Sequence, residues 1–278
     1  MILNDIPKAI PIKKIVQENP HVKTFVFEHT LNSQPGQFVN LWIPRVDEKP
    51  MSIANDTGKE FWITMFAVGP FSRMMHHLKV GDLVGVRGPY GKPFTFKPKQ
   101  HLVMMAGGYG AAPLYNLSVK AIKEGCKIDF VIGARSEDYL LYLDRVKKLP
   151  GVKLHVTTDD GSVGRKGFNT LVLQELVGKK KIENRKKEIG VGVDCVYACG
   201  PEMMMKAISN ICDEAKVDAQ ISIERYMKCG FGVCGQCSVD PRGQPVCIEG
   251  PCVSNETARK IVEFGKYHRD KIGKMHQF

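Results

Sequence analysis

The sequence predicts a multidomain protein of β and α/β classes: an antiparallel β-barrel over residues 1–98, an open parallel α/β sheet over 99–218 and a small cysteine-rich domain over 219–278. Three observations predict it. Short β-branched and aromatic segments separated by glycine turns fill the first hundred residues, buried-type strands then alternate with helix-like stretches, and four cysteines crowd residues 229–247. A chain of 278 residues suits such a division, since one domain commonly takes about 150 residues.

In the first block "HVKTFVFEH", "GQFVNLWIP", "EFWITMFAV" and "GDLVGVRGPYG" read as strands, punctuated by "QPG", "NDTG", "VGD" and "GPYG". Repeated short strands with glycine-rich turns point to a small antiparallel barrel. The pattern then changes. "HLVMMAGG" is a continuous apolar run, as expected of a strand buried on both faces in a parallel sheet. Helix "APLYNLSVKAIKEG", strand "KIDFVIG", helix "EDYLLYLDRVKKL", strand "VKLHVTT", helix "FNTLVLQELV", strand "DCVYACG" and helix "EMMMKAISNICDEA" follow. This alternation is a βαβ series, hence an open parallel sheet. The methionines of "EMMMKAI" read as helix packing. After "AQISIE" the regular pattern ends.

Composition narrows the function. Hydrophobic content of 43% and charged content of 25% are those of a globular protein, and no apolar run reaches the ~20 residues of a membrane span. "MILNDIPKAIPIKK" lacks a signal-peptide pattern, which leads to the expectation of a cytoplasmic protein. There, clustered cysteines suggest metal or redox chemistry more than disulfides. Of the net charge of +11, +5 falls in "KKKIENRKK" (179–187), a solvated connector or an attraction for an acidic partner surface, and +6 is spread over the chain and the tail "GKYHRDKIGKMHQF"; this distribution argues against nucleic acid.

Cys229, Cys234, Cys237 and Cys247 have the spacing C-x4-C-x2-C…C of a plant-type 2Fe–2S site. Structural zinc, usually held by two separated C-x2-C pairs, is the competing occupant, in which case the chain would be a zinc-binding interaction module. Glycines 230, 232 and 235 let the loop bring N–H groups close to inorganic sulfide. Cys252 competes with Cys247 as fourth ligand on spacing alone. Cys126, Cys195 and Cys212 read as buried small hydrophobes.

"MMAGGYGAAPL" places Gly107, Gly108 and Gly110 between a buried strand and a helix, where free N–H groups suit a diphosphate. Pro113 stands where a dinucleotide fingerprint has its third glycine; a plain tight turn explains the stretch equally well. "YACGPEMM", "GARS" (133–136) and "TTDDGS" (157–162) also fall at strand C-termini, the edge where open α/β sheets bind ligands.

"KPMSIAN", "VGPFSRMMHHLKVGD", "GPYG", "GGYGAAPL", "TTDDGS", "ACGPEMM" and the cysteine series occur in the order seen in the ferredoxin–NADP reductase superfamily. The cysteine-rich end resembles one branch, the electron-transfer subunits of the NAD-linked, two-protein dihydroorotate dehydrogenases. The resemblance spans residues 8 to 252. It implies an FAD-binding barrel, an NAD-binding α/β domain and a C-terminal 2Fe–2S domain. It assigns FAD to Lys49, Pro50, Met51 and Ser52, to Met65, Phe66 and Ala67, and to Gly69, Phe71 and Ser72. Lys49 stands in place of the family's arginine, and a lysine gives a point charge without a bidentate fork. Ser72 replaces the family's threonine as a hydroxyl donor. NAD falls to Gly107, Gly108, Gly110, Pro113, Arg135, Ser136, Asp160, Gly200 and Pro201, with the nicotinamide brought to the flavin near Cys199 as the catalytic residue. "CIEGP" matches the family's C-x-D-G-P and so assigns the fourth cluster ligand to Cys247.

What the resemblance implies is a subunit that passes electrons between a flavin of an FMN-containing dihydroorotate dehydrogenase catalytic subunit and NAD, through the cluster and FAD, in pyrimidine biosynthesis. The same motifs serve flavin subunits of hydrogenases, sulfide dehydrogenases and ferredoxin–NADP transhydrogenases. NADP is not excluded, because the acidic residue expected about 20 positions after the glycine loop would be Asp129, inside a strand, which leaves Arg135 and Ser136 at the adenosine ribose.

Overall fold

The computed structural model describes residues 6–181, 188–190 and 192–278; of 179–181 and 188–190 it describes the backbone alone. Six strands close the barrel: β1 (Lys8–Asn19), β2 (Val22–Phe27), β3 (Phe38–Ile43), β4 (Asp47–Asp56), β5 (Phe61–Phe66) and, after helix α1 (Pro70–His77), β6 (Leu83–Tyr90). Their order is β1-β2-β5-β4-β3-β6, and the pairs are antiparallel. Phe25, Phe27, Leu41, Ile53, Phe61 and Ile63 fill the interior without solvent contact. β2, β3, β5 and β6 are the strands read in the sequence. β1 and β4 are additional: β1 turns lysines and other exposed residues outward along most of its length, and β4 carries Pro50 opposite Asn40. Proline inside a run reads against a strand.

The chain continues through β7 (His101–Gly107), α2 (Ala111–Lys123), β8 (Lys127–Ala134), α3 (Leu143–Lys147), β9 (Val152–Thr158), β10 (Arg165–Lys166) and α4 (Thr170–Val177). A hairpin of β11 (Lys179–Lys181) and β12 (Glu188–Gly190) flanks part of the basic run, whose residues 182–187 lie outside the described residues. Next come β13 (Cys195–Cys199), α5 (Glu202–Ala215) and β14 (Asp218–Ser222). The sheet runs β10-β9-β8-β7-β13-β14 in parallel. From β7 the chain works outward to one side and then returns to add β13 on the other. The C-termini of β7 and β13 therefore flank the switch point, where crevices form in open sheets.

The expected helix over 137–149 is only partly helical, since α3 covers 143–147 and Tyr142 before it takes a left-handed conformation at φ 68°. Tertiary contact overrides helical propensity here. Leu140, Leu141 and Tyr142 are buried against the barrel, where the Tyr142 hydroxyl meets those of Thr24 and Thr64.

The last part holds β15 (Ser238–Val239), β16 (Gln244–Pro245), α6 (Val246–Glu249), β17 (Cys252–Ser254), α7 (Asn255–Lys260), β18 (Tyr267–Arg269) and β19 (Met275–Gln277). β17 joins the main sheet, antiparallel to β14, so chain from beyond residue 250 completes the edge of the nucleotide-type sheet. An ionic network, with the side chains of Arg225, Glu202 and Glu263 buried at its centre, adds to the join. Arg225 bonds Glu202 of α5 at 2.6 Å and Glu263 at 3.1 Å, and Arg269 links Glu263 to Asp240. Charges this deep persist because each is paired, and deleting one partner would strand the others.

Candidate functional site

A cavity of about 510 Å³ opens between the barrel and the C-terminal edge of the sheet. Its barrel wall is the stretch Lys49–Ser52 of β4, Met65 and Phe66 of β5, and Gly69, Phe71 and Ser72 at the start of α1. The sheet side contributes Tyr109, Pro113 and Cys199. Residues read from separate sequence motifs are thus brought to one space. Ala67 lies beside it, its N–H on the His21 carbonyl.

Each wall has a local reason. Pro70 opens α1 at its first position, suited to a helix start. The Ser72 hydroxyl accepts the N–H groups of Val68 and Gly69 at 2.9 Å and donates to the Gly69 carbonyl. Ser72 is buried and its hydroxyl already engaged, so it shapes the turn rather than offering a free donor. Lys49 reaches Asp47 at 2.6 Å and the Tyr226 hydroxyl at 3.4 Å, which holds its ammonium at the cavity wall.

The two glycine loops at the switch point pack on each other. A Cβ on Gly110 would fall on the Cys199 carbonyl, and one on Gly107 would meet Pro201 and Met204. Gly200 in turn lies against Gly107. Gly108 differs: its φ is +50° and nothing lies within 4 Å of the position a Cβ would take, so it alone of the three faces open space. The N-terminus of α2 follows without a side-chain cap; the Ala111 N–H is already taken by the Gly108 and Tyr109 carbonyls, and Pro113 has none to offer.

Arg135, Ser136 and Asp160 stand on the loops after β8 and β9, apart from the cavity. Arg135 lies over the Tyr139 ring at 5.7 Å, Ser136 precedes a short 3₁₀ turn, and Asp160 accepts the N–H and hydroxyl of Ser162. Asp129 is committed elsewhere, to His101 at 2.7 Å and His155 at 2.5 Å on the neighbouring strands. Asn169, missed in the sequence, fills the gap between Gly133 and the Ala106 carbonyl.

Sequence reading also missed the end of β14 and the segment after it. Ser222, Ile223, Glu224, Arg225 and Met227 line the same cavity. The available signal was that "AQISIE" is a strand of the parallel series, so its C-terminal end falls on the ligand edge. Tyr109 donates to Glu224 at 3.3 Å. Glu224 is exposed on the cavity side; the protein packed around its carboxyl displaces water and raises it to about 7. Burial, with the Glu224 charge added, pushes the Cys199 thiol up to about 12, so it stands there as a neutral thiol.

From this cavity the chain runs straight into the cysteine loop. Met227 still lines the cavity and Cys229 is two residues on, about 7 Å of chain at most. The Cys229 thiol neighbours that of Cys234, and Cys237 neighbours Cys247. Among the described residues no three His, Cys, Asp or Glu side chains converge as a single ion would need. Two thiol pairs instead suit a cluster of two irons, each held by two cysteines. Backbone N–H groups aim at the sulfurs: Gly232, at φ +82°, donates to Cys247 at 3.2 Å, Cys234 to Cys229 at 3.5 Å and Cys247 to Cys237 at 3.4 Å. Burial opposes it, yet the N–H groups of Cys234, Phe231 and Val233, with the Cys234 thiol, draw Cys229 down to about 7, favouring thiolate. The donor set fits an anionic iron–sulfur group. Cys252 is elsewhere, buried in β17 with its sulfur against Gly36.

The chain is similar to known proteins along most of its length. A family model described as an oxidoreductase NAD-binding domain matches residues 104–210, and one for the iron–sulfur cluster binding domain of dihydroorotate dehydrogenase B matches 224–257. Among solved structures, a chain of an NADH-dependent reduced ferredoxin–NADP oxidoreductase is 28% identical, with a TM-score of 0.77 and coverage of 91% of this chain and 90% of that one. The flavohem-like FAD/NAD binding domain of a nitric oxide dioxygenase from Vibrio cholerae is 18% identical at TM-score 0.64, covering 77% and 98%, and shares the fold. A protein of Methanocaldococcus jannaschii named "Probable dihydroorotate dehydrogenase B (NAD(+)), electron transfer subunit" is 43% identical over 96% of this chain and 97% of its own. One of the same name from Methanothermobacter thermautotrophicus is 40% identical over 97% of each. With such relatives matched along nearly the whole of both chains, the protein belongs to the family of dihydroorotate dehydrogenase B electron transfer subunits.

Proposed function

We propose that the protein carries electrons between NAD and a flavin on an FMN-containing dihydroorotate dehydrogenase catalytic subunit, as a cytoplasmic partner of that subunit. Family membership supports this, and so does one observation in particular: a single stretch, residues 222–229, leaves the flavin-type cavity and enters the cysteine loop. When bound, FAD supplies the exchange between two-electron and one-electron transfer, and the 2Fe–2S cluster supplies a one-electron relay. We assign FAD to the cavity walls, with Lys49 as cation for its diphosphate, and the cluster to Cys229, Cys234, Cys237 and Cys247.

The protein's own groups set position and exclude water. Gly108 leaves open space before α2, to which we assign the NAD diphosphate, with the nicotinamide toward Cys199 and the cavity. Cys199, protonated and compact, adds no charge to that wall. Glu224, with a carboxyl near 7, can hold or release a proton at Oε2 beside Tyr109.

The test is reconstitution. The isolated chain, loaded with FAD, iron and sulfide, is expected to reduce artificial acceptors with NADH and to oxidise dihydroorotate only after the catalytic subunit is added. Dihydroorotate turnover by this chain alone would sink the proposal. The likeness to a ferredoxin–NADP oxidoreductase chain favours a second reading, in which the partner belongs to such a complex. Copurification with that partner instead would decide for it.

A further inference from the structure

We infer that Arg87 is a positioning residue for electron passage, fixing the cluster-bearing loop to the barrel strand that also walls the flavin cavity. The inference rests on the function proposed above. Arg87 lies on β6, its side chain only 7% exposed. Its Nε and Nη2 hold the two carboxylate oxygens of Glu48 at 2.5 Å each, and its Nη1 donates to the Cys229 carbonyl at 2.5 Å. Nη2 also reaches the Lys228 carbonyl at 3.3 Å, and Asn40, opposite Arg87 on β3, donates to that carbonyl at 2.9 Å.

The barrel does not need this pair for itself. β3, β4 and β6 are already joined by backbone ladders, and a buried ion pair seldom improves on a well-packed apolar pair. What the guanidinium adds is a planar set of donors that serves a carboxylate and two peptide carbonyls together, which an ammonium cannot do. Those carbonyls belong to the first cluster cysteine and the residue before it. Cys229 is thus held from both sides, its carbonyl by Arg87 and its sulfur by the N–H of Cys234. The other end of the clamp is equally placed. Glu48 precedes Lys49, which walls the flavin cavity, so β4 is tied to both cofactor regions within two residues. Groups that orient ligands in this way typically change metal affinity or activity by about 10–100-fold when altered.

The experiment uses the full chain loaded with FAD, iron and sulfide, as wild type, Arg87→Lys and Glu48→Gln. Iron, sulfide and flavin are counted, flavin reduction by NADH is followed optically, and cluster reduction is followed by freeze-quenched EPR. The variants are expected to reduce flavin at the wild-type rate while cluster reduction slows by about 10–100-fold in Arg87→Lys. Glu48→Gln leaves the guanidinium charge unbalanced beside the cluster, so its midpoint potential should rise. A purely structural role would lower the melting temperature and move neither readout. Fully loaded variants with wild-type cluster reduction and potential overturn the inference; should Arg87→Lys not fold, Glu48→Gln decides it by the same two readouts. Wild-type protein without iron or flavin would instead overturn the proposed function, and the inference with it.

Discussion

Replacing Gly110 by alanine tests whether the contact between the two glycine loops sets the reaction geometry. A Cβ there would lie 2.0 Å from the Cys199 carbonyl oxygen and 2.9 Å from the Gly200 nitrogen. Both are backbone atoms, so no side chain can swing aside, and the loops must part by about 1 Å or more to restore ordinary separations. Forced expansion of a packed region costs about 1–3 kcal/mol. The same displacement shifts Cys199 and the start of α2 relative to the flavin wall, and 1 Å of misplacement costs on the order of 100-fold in rate. Gly110→Ala is therefore expected to keep its FAD, reduce it with NADH on the order of 100-fold more slowly in stopped flow, and unfold at lower denaturant. Gly108→Ala supplies the contrast. With no atom within 4 Å, it meets only the strain of its positive φ, roughly 1–2 kcal/mol, and should act mainly by raising KM for NADH. A Gly110→Ala protein with wild-type stability and flavin reduction would refute the packing argument.

Three further outcomes are expected. Cys247→Ser should lose or alter the 2Fe–2S signal and Cys252→Ser should keep it, read by EPR and iron content; the reverse pattern would show that the ligand assignment is wrong. Lys49→Ala should weaken FAD binding by roughly 10–100-fold, since a charge-assisted bond to phosphate contributes roughly 1.5–3 kcal/mol, and unchanged affinity in fluorescence titration would count against the diphosphate site. Glu224, exposed at the cavity, has its carboxyl raised from an ordinary 4.5 to about 7, chiefly because the protein around it displaces water, so between those values the folded chain binds more protons than the unfolded one. Its contribution to stability is full below pH 4.5 and is lost as pH rises through 7. Glu224→Gln should flatten the fall in melting temperature over that window, and an unaltered slope would remove the assignment.

The parallel series was legible because fully buried strands such as "HLVMMAGG" and "DCVYACG" are apolar on both faces and stop at glycine. The cysteine spacing carries its chemistry openly, and Cys247 could be separated from Cys252 only through the family's C-x-D-G-P register, which the geometry supports by placing the Gly232 N–H on Cys247. β1 and β4 were hidden because lysines, Pro50 and acidic residues mask the alternation on strands whose pairing is supplied by neighbours far along the chain. Arg87 and Asn40 gave no local signal at all. Their partners, Lys228 and Cys229, lie more than 140 residues away, and no periodicity reports a contact of that span. Ser72 shows the opposite error, a residue correctly drawn to the cavity whose hydroxyl is used by its own turn.

The antiparallel strand β17 has a consequence for how the protein is made. Its partner β14 is synthesised first, and the intervening residues 223–251 include Cys229, Cys234, Cys237 and Cys247. Until residue 254 has been made, β14 presents unpaired backbone donors and acceptors along one flank, the kind of edge on which chains aggregate. The metal-binding loop is therefore an insertion between neighbouring strands of one sheet, not a detachable tail. Removal of the last thirty or so residues would do more than delete a module: it would leave a nascent-like species permanently open at that flank. Variation in the loop is correspondingly bound to two fixed ends a strand's width apart, about 5 Å, whatever the cluster between them requires.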